Sequence, residues 1–186
     1  MADLLEELQL RGAILEGHFK LSSGRHSNRF IQKFRILEDP SIVEVLAREI
    51  ATFFSNQHPS IVVSAAVGGI ILGYEVARAL GTKAIFIEKE NGVARLRRSF
   101  ELAPTDRVLV VEDVVTTGLS VREVLEVVRA RDAQVIGVGV VVQRGSADFG
   151  IATHALLDLP IDSYEPQECP QCSRGEAITD PGSRRA

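Results

Sequence analysis

Two adjacent carboxylates, followed at once by a run of small, hydroxyl-bearing and glycine residues, are the part of this chain best suited to chemistry. The run is Glu112-Asp113-Val114-Val115-Thr116-Thr117-Gly118-Leu119-Ser120. Threonine and serine hydroxyls and the backbone N–H groups of a turn that opens a helix suit an anion, and the helix dipole favours negative charge there. Phosphate is the natural guest. Glu112 and Asp113 would repel it, so their useful partners are sugar hydroxyls or a divalent cation that the ligand carries. A sugar phosphate bearing a metal-chelated polyphosphate combines all three features. Read structurally, Ser120 to Glu123 is instead a helix capping box, with the acids solubilising a strand end.

The flanking sequence says what must position these groups. Val108 to Val111 is an unbroken apolar run, as in a strand buried on both faces, and it ends at the acids. Val121, Val124, Leu125 and Val128 then repeat at helical spacing. The same strand–turn–helix order occurs upstream: Ile61-Val62-Val63 runs into Ser64-Ala65-Ala66-Val67-Gly68-Gly69, then a helix from about Ile70 to Leu80. Glycines in that turn allow close backbone approach to a ligand, or tight packing of helix on strand. Lys83 to Ile87 is a third strand and Gln134 to Val142 a further one, closed by Arg144. Between them, residues 88–98 are polar and increasingly basic, suiting either a solvated hairpin or a mobile arm that brings cations over a polyphosphate. Asp39-Pro40 starts a helix that runs to about His58. Residues 3 to about 15 suit an amphipathic helix, and residues 17–31 a hairpin around a Ser/Gly turn. Repeated helix–strand alternation implies an α/β fold: a central parallel sheet with helices on both faces and a small N-terminal hood.

At 186 residues the chain reads as one domain, 1–186, with a hood from about 1–37 and a C-terminal tail at about 173–186, its last six residues frayed. A net charge of −4 argues against a general nucleic-acid partner. No apolar stretch is long enough for a membrane span, and the amino terminus lacks the plan of a signal peptide, so a cytoplasmic protein is expected. His18 and His26, at unpatterned spacing, read as solvent-facing residues without assigned chemistry. Cys169-Pro170-Gln171-Cys172 supplies two thiolates, half a structural zinc site, and reads as reduced thiols in a turn.

The acidic run closely resembles the phosphoribosyl-pyrophosphate (PRPP) motif of type I phosphoribosyltransferases. Over nearly the whole chain the sequence is similar to the shorter bacterial orotate phosphoribosyltransferases, in Leu21 to Ser27, Gly68 to Arg78, Arg144-Gly145 and the Cys-Pro-x-Cys ending. The resemblance implies transfer of phosphoribose from PRPP to orotate, giving orotidine 5′-monophosphate and pyrophosphate in pyrimidine synthesis. It implies Mg2+ carried mainly by PRPP, with no metal held by the protein itself. Glu112 and Asp113 would hold the ribose hydroxyls, and Thr116, Thr117, Gly118 and Ser120 the 5-phosphate within a PRPP-binding run that includes Val114, Val115 and Leu119. Thr116 and Arg144 would hold orotate. Lys89 would reach the pyrophosphate of a neighbouring subunit, in a homodimer that shares loop 89–98; with Glu112 and Asp113 it makes up the catalytic set. Ser22, Gly68 and Val93 depart from the family by standing where relatives carry lysines, with Arg95, Arg97 and Arg98 near the last of these. A purine phosphoribosyltransferase shares the acidic motif, and PRPP-sensing regulators reuse the fold without catalysis. The hood signature argues against the first, the absence of a winged-helix extension and of net positive charge against the second.

Overall fold

The computed structural model describes residues 4–21 and 23–181. They form two compact units, Ile36–Leu159 and a second made from Met1–Arg35 with Pro160–Ala186.

In the second unit, α1 (Leu4–Leu10) precedes an antiparallel hairpin of β1 (Ile14–Lys20) and β2 (His26–Ile31). The expected helix to about residue 15 stops five residues early. Gly12, at φ +67°, turns the chain, and Ile14 then pairs with Ile31. The carboxyl-terminal segment completes this unit. His26 and Tyr164 exchange both backbone hydrogen bonds at 2.8 Å, Ser27 Oγ donates to the Asp162 carbonyl at 2.8 Å, and Arg25 reaches Ser163 and Glu165. Beyond the one-turn α6 (Pro170–Ser173), Thr179 bridges to β1. Its N–H donates to His18 O at 2.8 Å, and Lys20 N–H donates to Thr179 O at 2.9 Å. The expected tail from about 173 is therefore tied down as far as Thr179, because the outer edge of β1 has free backbone groups to pair. Ser22 and residues 182–186, the end of the expected fray, lie outside the described residues.

The larger unit follows the one-turn α2 (Phe34–Leu37) with α3 (Pro40–Phe54), β3 (Ile61–Ala65), α4 (Gly68–Leu80), β4 (Lys83–Glu90) and β5 (Val93–Leu96). Then come β6 (Arg107–Val115), α5 (Leu119–Arg129), β7 (Gln134–Gln143) and β8 (Thr153–Asp158). Asp39 caps α3, accepting from Ser41 N–H at 2.9 Å. The sheet order is β5-β4-β3-β6-β7-β8, parallel throughout except for β5, which turns back antiparallel to β4. The expected parallel sheet is thus mixed at one edge. β8, whose half-buried residues show no clean alternation, gave no strand signal in the sequence.

Strand side chains alternate between two helical layers. Val63, Ile85, Val108, Val110, Val138 and Val140 pack with Val121, Val124, Leu125 and Val128 of α5. On the opposite face β7 presents glycines to α3: a Cβ on Gly137 would lie 2.3 Å from Phe54 Cε1, and one on Gly139 2.4 Å from Ile50 Cγ2. The helix therefore settles directly onto the strand backbone. No helix among the described residues is long and apolar enough to cross a membrane.

Ile50 is fully buried and its Cγ2 branches directly from Cβ, so it cannot swing aside. Gly139→Ala should therefore destabilise the protein by about 1–3 kcal/mol through overpacking. Urea unfolding monitored by circular dichroism measures this; an unchanged midpoint would mean that α3 does not bear on β7.

Candidate active site

The acids do not sit at a strand tip. β6 continues through them to Val115 because β7 goes on pairing with it, with Glu112 opposite Val140 and Val115 opposite Gln143. Glu112 and Asp113 are accordingly buried, at 6% and 3% exposure, near the carboxyl end of the central strand. Glu112 accepts from the Asp113 N–H at 3.2 Å, and Asp113 from the Val114 N–H at 2.6 Å.

Past Val115 the chain turns through Thr116 and Thr117 into α5. Gly118, at φ +78°, is the residue before the helix, and no side chain caps it. The alternative reading as a capping box does not fit: Ser120 lies inside α5, and Glu123 accepts an ion pair from Lys89 at 2.8 Å. Leu119 N–H makes a long contact to Thr117 Oγ1 at 3.4 Å, and a helix start without a side-chain cap at Gly118 suits an anion. Glu112 and every residue from Val114 to Val121 line a cavity of about 140 Å3 at this turn. It has room for a phosphate group. Behind it, a Cβ on Gly118 would lie 2.8 Å from Phe149 Cε1 and 3.0 Å from Ala147 Cβ. These two residues form a back wall that carried no sequence signal.

Arg144 follows β7, and its N–H donates to Val115 O at 2.8 Å. At Gly145 a Cβ would come within 2.9 Å of Thr116 O, so the arginine segment lies against the threonine turn. The Arg144 Nε is buried and, among the described residues, has no hydrogen-bond partner. Burial lowers its pKa from the ordinary arginine value, although a guanidinium stays charged at any physiological pH. A half-buried cation with an unused donor favours an anionic or carbonyl-rich ligand.

On the other side of β6, the α4 glycines lie against β3. A Cβ on Gly73 would be 2.9 Å from Ser64 Oγ, and one on Gly69 would be 3.1 Å from Ser64 Cβ and 3.4 Å from Glu112 Oε1. Tight helix–strand packing is thus one use of this glycine pattern, and it brings the start of α4 up to Glu112. The Ala66–Val67 peptide between β3 and α4 is cis.

Lys89 is not brought to the cavity. Residues 88–98 form most of a β-hairpin, in which Lys89 opposes Ala94 across an Asn91-Gly92 turn. Of the two readings of this stretch, the solvated hairpin is the one formed, and its cations have local partners: Arg95 and Arg97 approach Glu90 at 3.6 and 3.4 Å, and Arg98 reaches Glu88 at 2.8 Å. Alternating acids and bases on a two-stranded ribbon neutralise one another. The expectation of solvent-facing histidines fails as well. His18 and His26 are buried, at 5% and 7% exposure, and their ring nitrogens meet at 3.2 Å.

A mostly parallel sheet with an anion-suited cradle and two buried acids near the end of its central strand fits a phosphoribosyltransferase. The phosphoribosyl transferase domain family matches residues 35–156. The chain is 50% identical over 185 residues to the orotate phosphoribosyltransferase of Pelotomaculum thermopropionicum, covering 98% of this chain and 97% of that one. It is 47% identical over 185 residues to that of Desulforamulus reducens, with the same coverage. Among solved structures, the orotate phosphoribosyltransferase from Aeropyrum pernix superposes with a TM-score of 0.70 at 29% identity, over 83% of this chain and 92% of that one. This chain therefore belongs to the type I phosphoribosyltransferase family, among its orotate phosphoribosyltransferases.

Gly118→Ala puts a methyl group into the back wall at a φ that L-residues avoid. It should weaken binding of PRPP and inorganic phosphate by at least about tenfold, the equivalent of roughly 1.4 kcal/mol, with little change in orotate binding. Calorimetric titration of each ligand decides it, and unchanged phosphate affinity would remove the cradle from the site.

Proposed function

We propose that this enzyme transfers the phosphoribosyl group of PRPP to orotate, releasing pyrophosphate and forming orotidine 5′-monophosphate for pyrimidine synthesis. The observation that carries the reading is the cradle from Thr116 to Ser120 at the start of α5, with the buried Glu112 in its lining and Arg144 hydrogen-bonded to Val115 beside it. The named relatives match it over nearly the full chain.

In the reaction, the orotate ring nitrogen forms a bond to the anomeric carbon as the bond from that carbon to the pyrophosphate oxygen breaks. Positive charge builds on the ribose ring meanwhile. Thr116, Thr117, Gly118 and Ser120 hold the 5-phosphate, with Val114, Val115 and Leu119 shaping the run. Glu112 and Asp113 accept hydrogen bonds from the ribose hydroxyls and supply negative charge beside the developing cation. Burial strengthens this effect, because few waters remain to screen it. Arg144 takes the orotate carboxylate or a ring carbonyl, and Thr116 adds a hydroxyl contact. Holding both reactants in line lowers the barrier by positioning alone. No strong base is required if orotate binds with its ring nitrogen deprotonated.

Carboxylates and hydroxyls are hard oxygen donors, which suit magnesium. Glu112 and Asp113 would face the ion that PRPP brings, and its chemistry is to neutralise the leaving pyrophosphate.

The working unit is a homodimer in which hairpin 89–98 serves the partner's site. Val67, Ile71 and Tyr74 form an exposed apolar stripe on and just before α4, which supports a buried face there. Exposed ion pairs such as those of Lys89, Arg95, Arg97 and Arg98 are worth about 0–1 kcal/mol each, so a polyphosphate can compete for these cations.

Orotate consumption that requires PRPP and magnesium tests the function; turnover of adenine or xanthine in place of orotate would assign a purine enzyme instead. Arg144→Ala should weaken orotate by about 1.5–3 kcal/mol and PRPP much less. Equal weakening of both in separate titrations would give Arg144 a role in the sheet. For the shared site, Asp113→Asn and a chain with Lys89, Arg95, Arg97 and Arg98 all changed to Ala should each be nearly inactive. After subunit exchange in an equal mixture, activity should return to about a quarter of wild type, because half the dimers are mixed and each has one intact site. No recovery, with exchange verified by mass-tagged subunits, would place the hairpin in its own chain's site.

A further inference from the structure

The two cysteines near the carboxyl terminus are not half of a site, because the hairpin supplies two more ligands. His18 on β1, His26 at the start of β2, and Cys169 and Cys172 around α6 place one ligand atom each within 4.8 Å of all the others. His18 Nε2 lies 3.2 Å from His26 Nδ1, 3.5 Å from Cys169 Sγ and 3.6 Å from Cys172 Sγ, and His26 Nδ1 lies 3.2 Å from Cys172 Sγ. In a zinc tetrahedron with Zn–N of about 2.0–2.1 Å and Zn–S of about 2.3 Å, ligand atoms stand roughly 3.3–3.8 Å apart. Four of the six separations, at 3.2–3.6 Å, are close to such edges, and all six lie within 4.8 Å.

Hydrogen bonding does not account for the cluster. His18 Nδ1 lies 3.0 Å from the Glu176 carbonyl, which can only accept, so the ring proton sits on Nδ1 and Nε2 presents a lone pair. Three neighbours converge on that lone pair, and one donor suffices to satisfy it. The contact to Glu176 also matches the usual support of a metal-bound histidine, in which a carbonyl fixes the tautomer and leaves the other nitrogen to the ion. Cys169 and Cys172 are not joined in a disulfide.

We propose that His18, His26, Cys169 and Cys172 form a closed, structural zinc site. Two thiolates and two imidazoles in a tetrahedron select zinc over the magnesium that oxygen donors prefer. All four positions are filled from this chain, so none remains for water or substrate, and the ion has no part in the transfer reaction. Its role is mechanical. It ties both strands of the hairpin to the carboxyl-terminal segment in a unit of roughly 60 residues, a size at which metal staples commonly replace a large core. The inference does not depend on the proposed substrate.

The test uses the untagged full-length chain, reconstituted with zinc chloride and gel-filtered. Elemental analysis should find about one zinc per chain, and cobalt substitution should give the intense visible bands and thiolate charge-transfer band of a tetrahedral sulfur–nitrogen site. Cys172 is exposed, so Cys172→Ser should fold; it should retain less than about a tenth of the wild-type zinc under a chelator challenge that wild type withstands. Absence of zinc from the wild-type chain, whatever other metal is found, would overturn the assignment. So would equal retention by Cys172→Ser, or a cobalt spectrum without the thiolate band.

Discussion

The architecture of the larger unit follows from one constraint: two adjacent carboxylates are carried inside the sheet, near the end of its central strand. Taking a carboxylate out of water costs several kcal/mol unless polar groups compensate. Here the chain's own amides begin that compensation, through the Asp113 and Val114 N–H groups. β6 pairs with β3 as far as Val111 and with β7 on through the acids to Val115, so the backbone that carries the acids cannot turn out to solvent without breaking the β7 ladder. A site that keeps negative charge fixed and dry is suited to a reaction whose ring becomes cationic, because no solvent has to reorganise as the charge develops.

Parallel pairing also assembles the rest of the site. Carboxyl ends of neighbouring parallel strands lie side by side, so the turn after β6 and the arginine after β7 become neighbours although about thirty residues separate them along the chain. Register makes this definite: Val115 pairs with Gln143, and the next residue, Arg144, donates back to Val115. Glycine sets the closeness of approach throughout. Gly118 and Gly145 let the cradle fold against Phe149 and Thr116, and Gly137 and Gly139 let α3 lie on β7.

The basic hairpin shows how a sequence can suggest mobility that local charge then counters. Its cations pair with Glu88 and Glu90, which are interspersed with them, and with Glu123, on a helix more than thirty residues away. Such exposed pairs hold a resting conformation only weakly. Pairing in one chain is therefore compatible with exchange to a polyphosphate.

By itself the sequence determined the features that rest on local pattern. The apolar run of β6, the helical spacing of α5, the Asp39-Pro40 start of α3 and the acid–hydroxyl–glycine order of the cradle were all legible, because periodicity and capping depend on neighbours a few residues apart. It misplaced the acids at a strand tip, since the length of β6 depends on how far β7 continues to pair with it. It gave no sign of β8, nor of the wall made by Phe149 and Ala147, which exist only where distant segments meet. Least visible of all was the meeting of His18 and His26 with Cys169 and Cys172. Separations of about 150 residues leave no spacing to read, and only the return of the carboxyl-terminal segment to the hairpin brings four metal-binding atoms together.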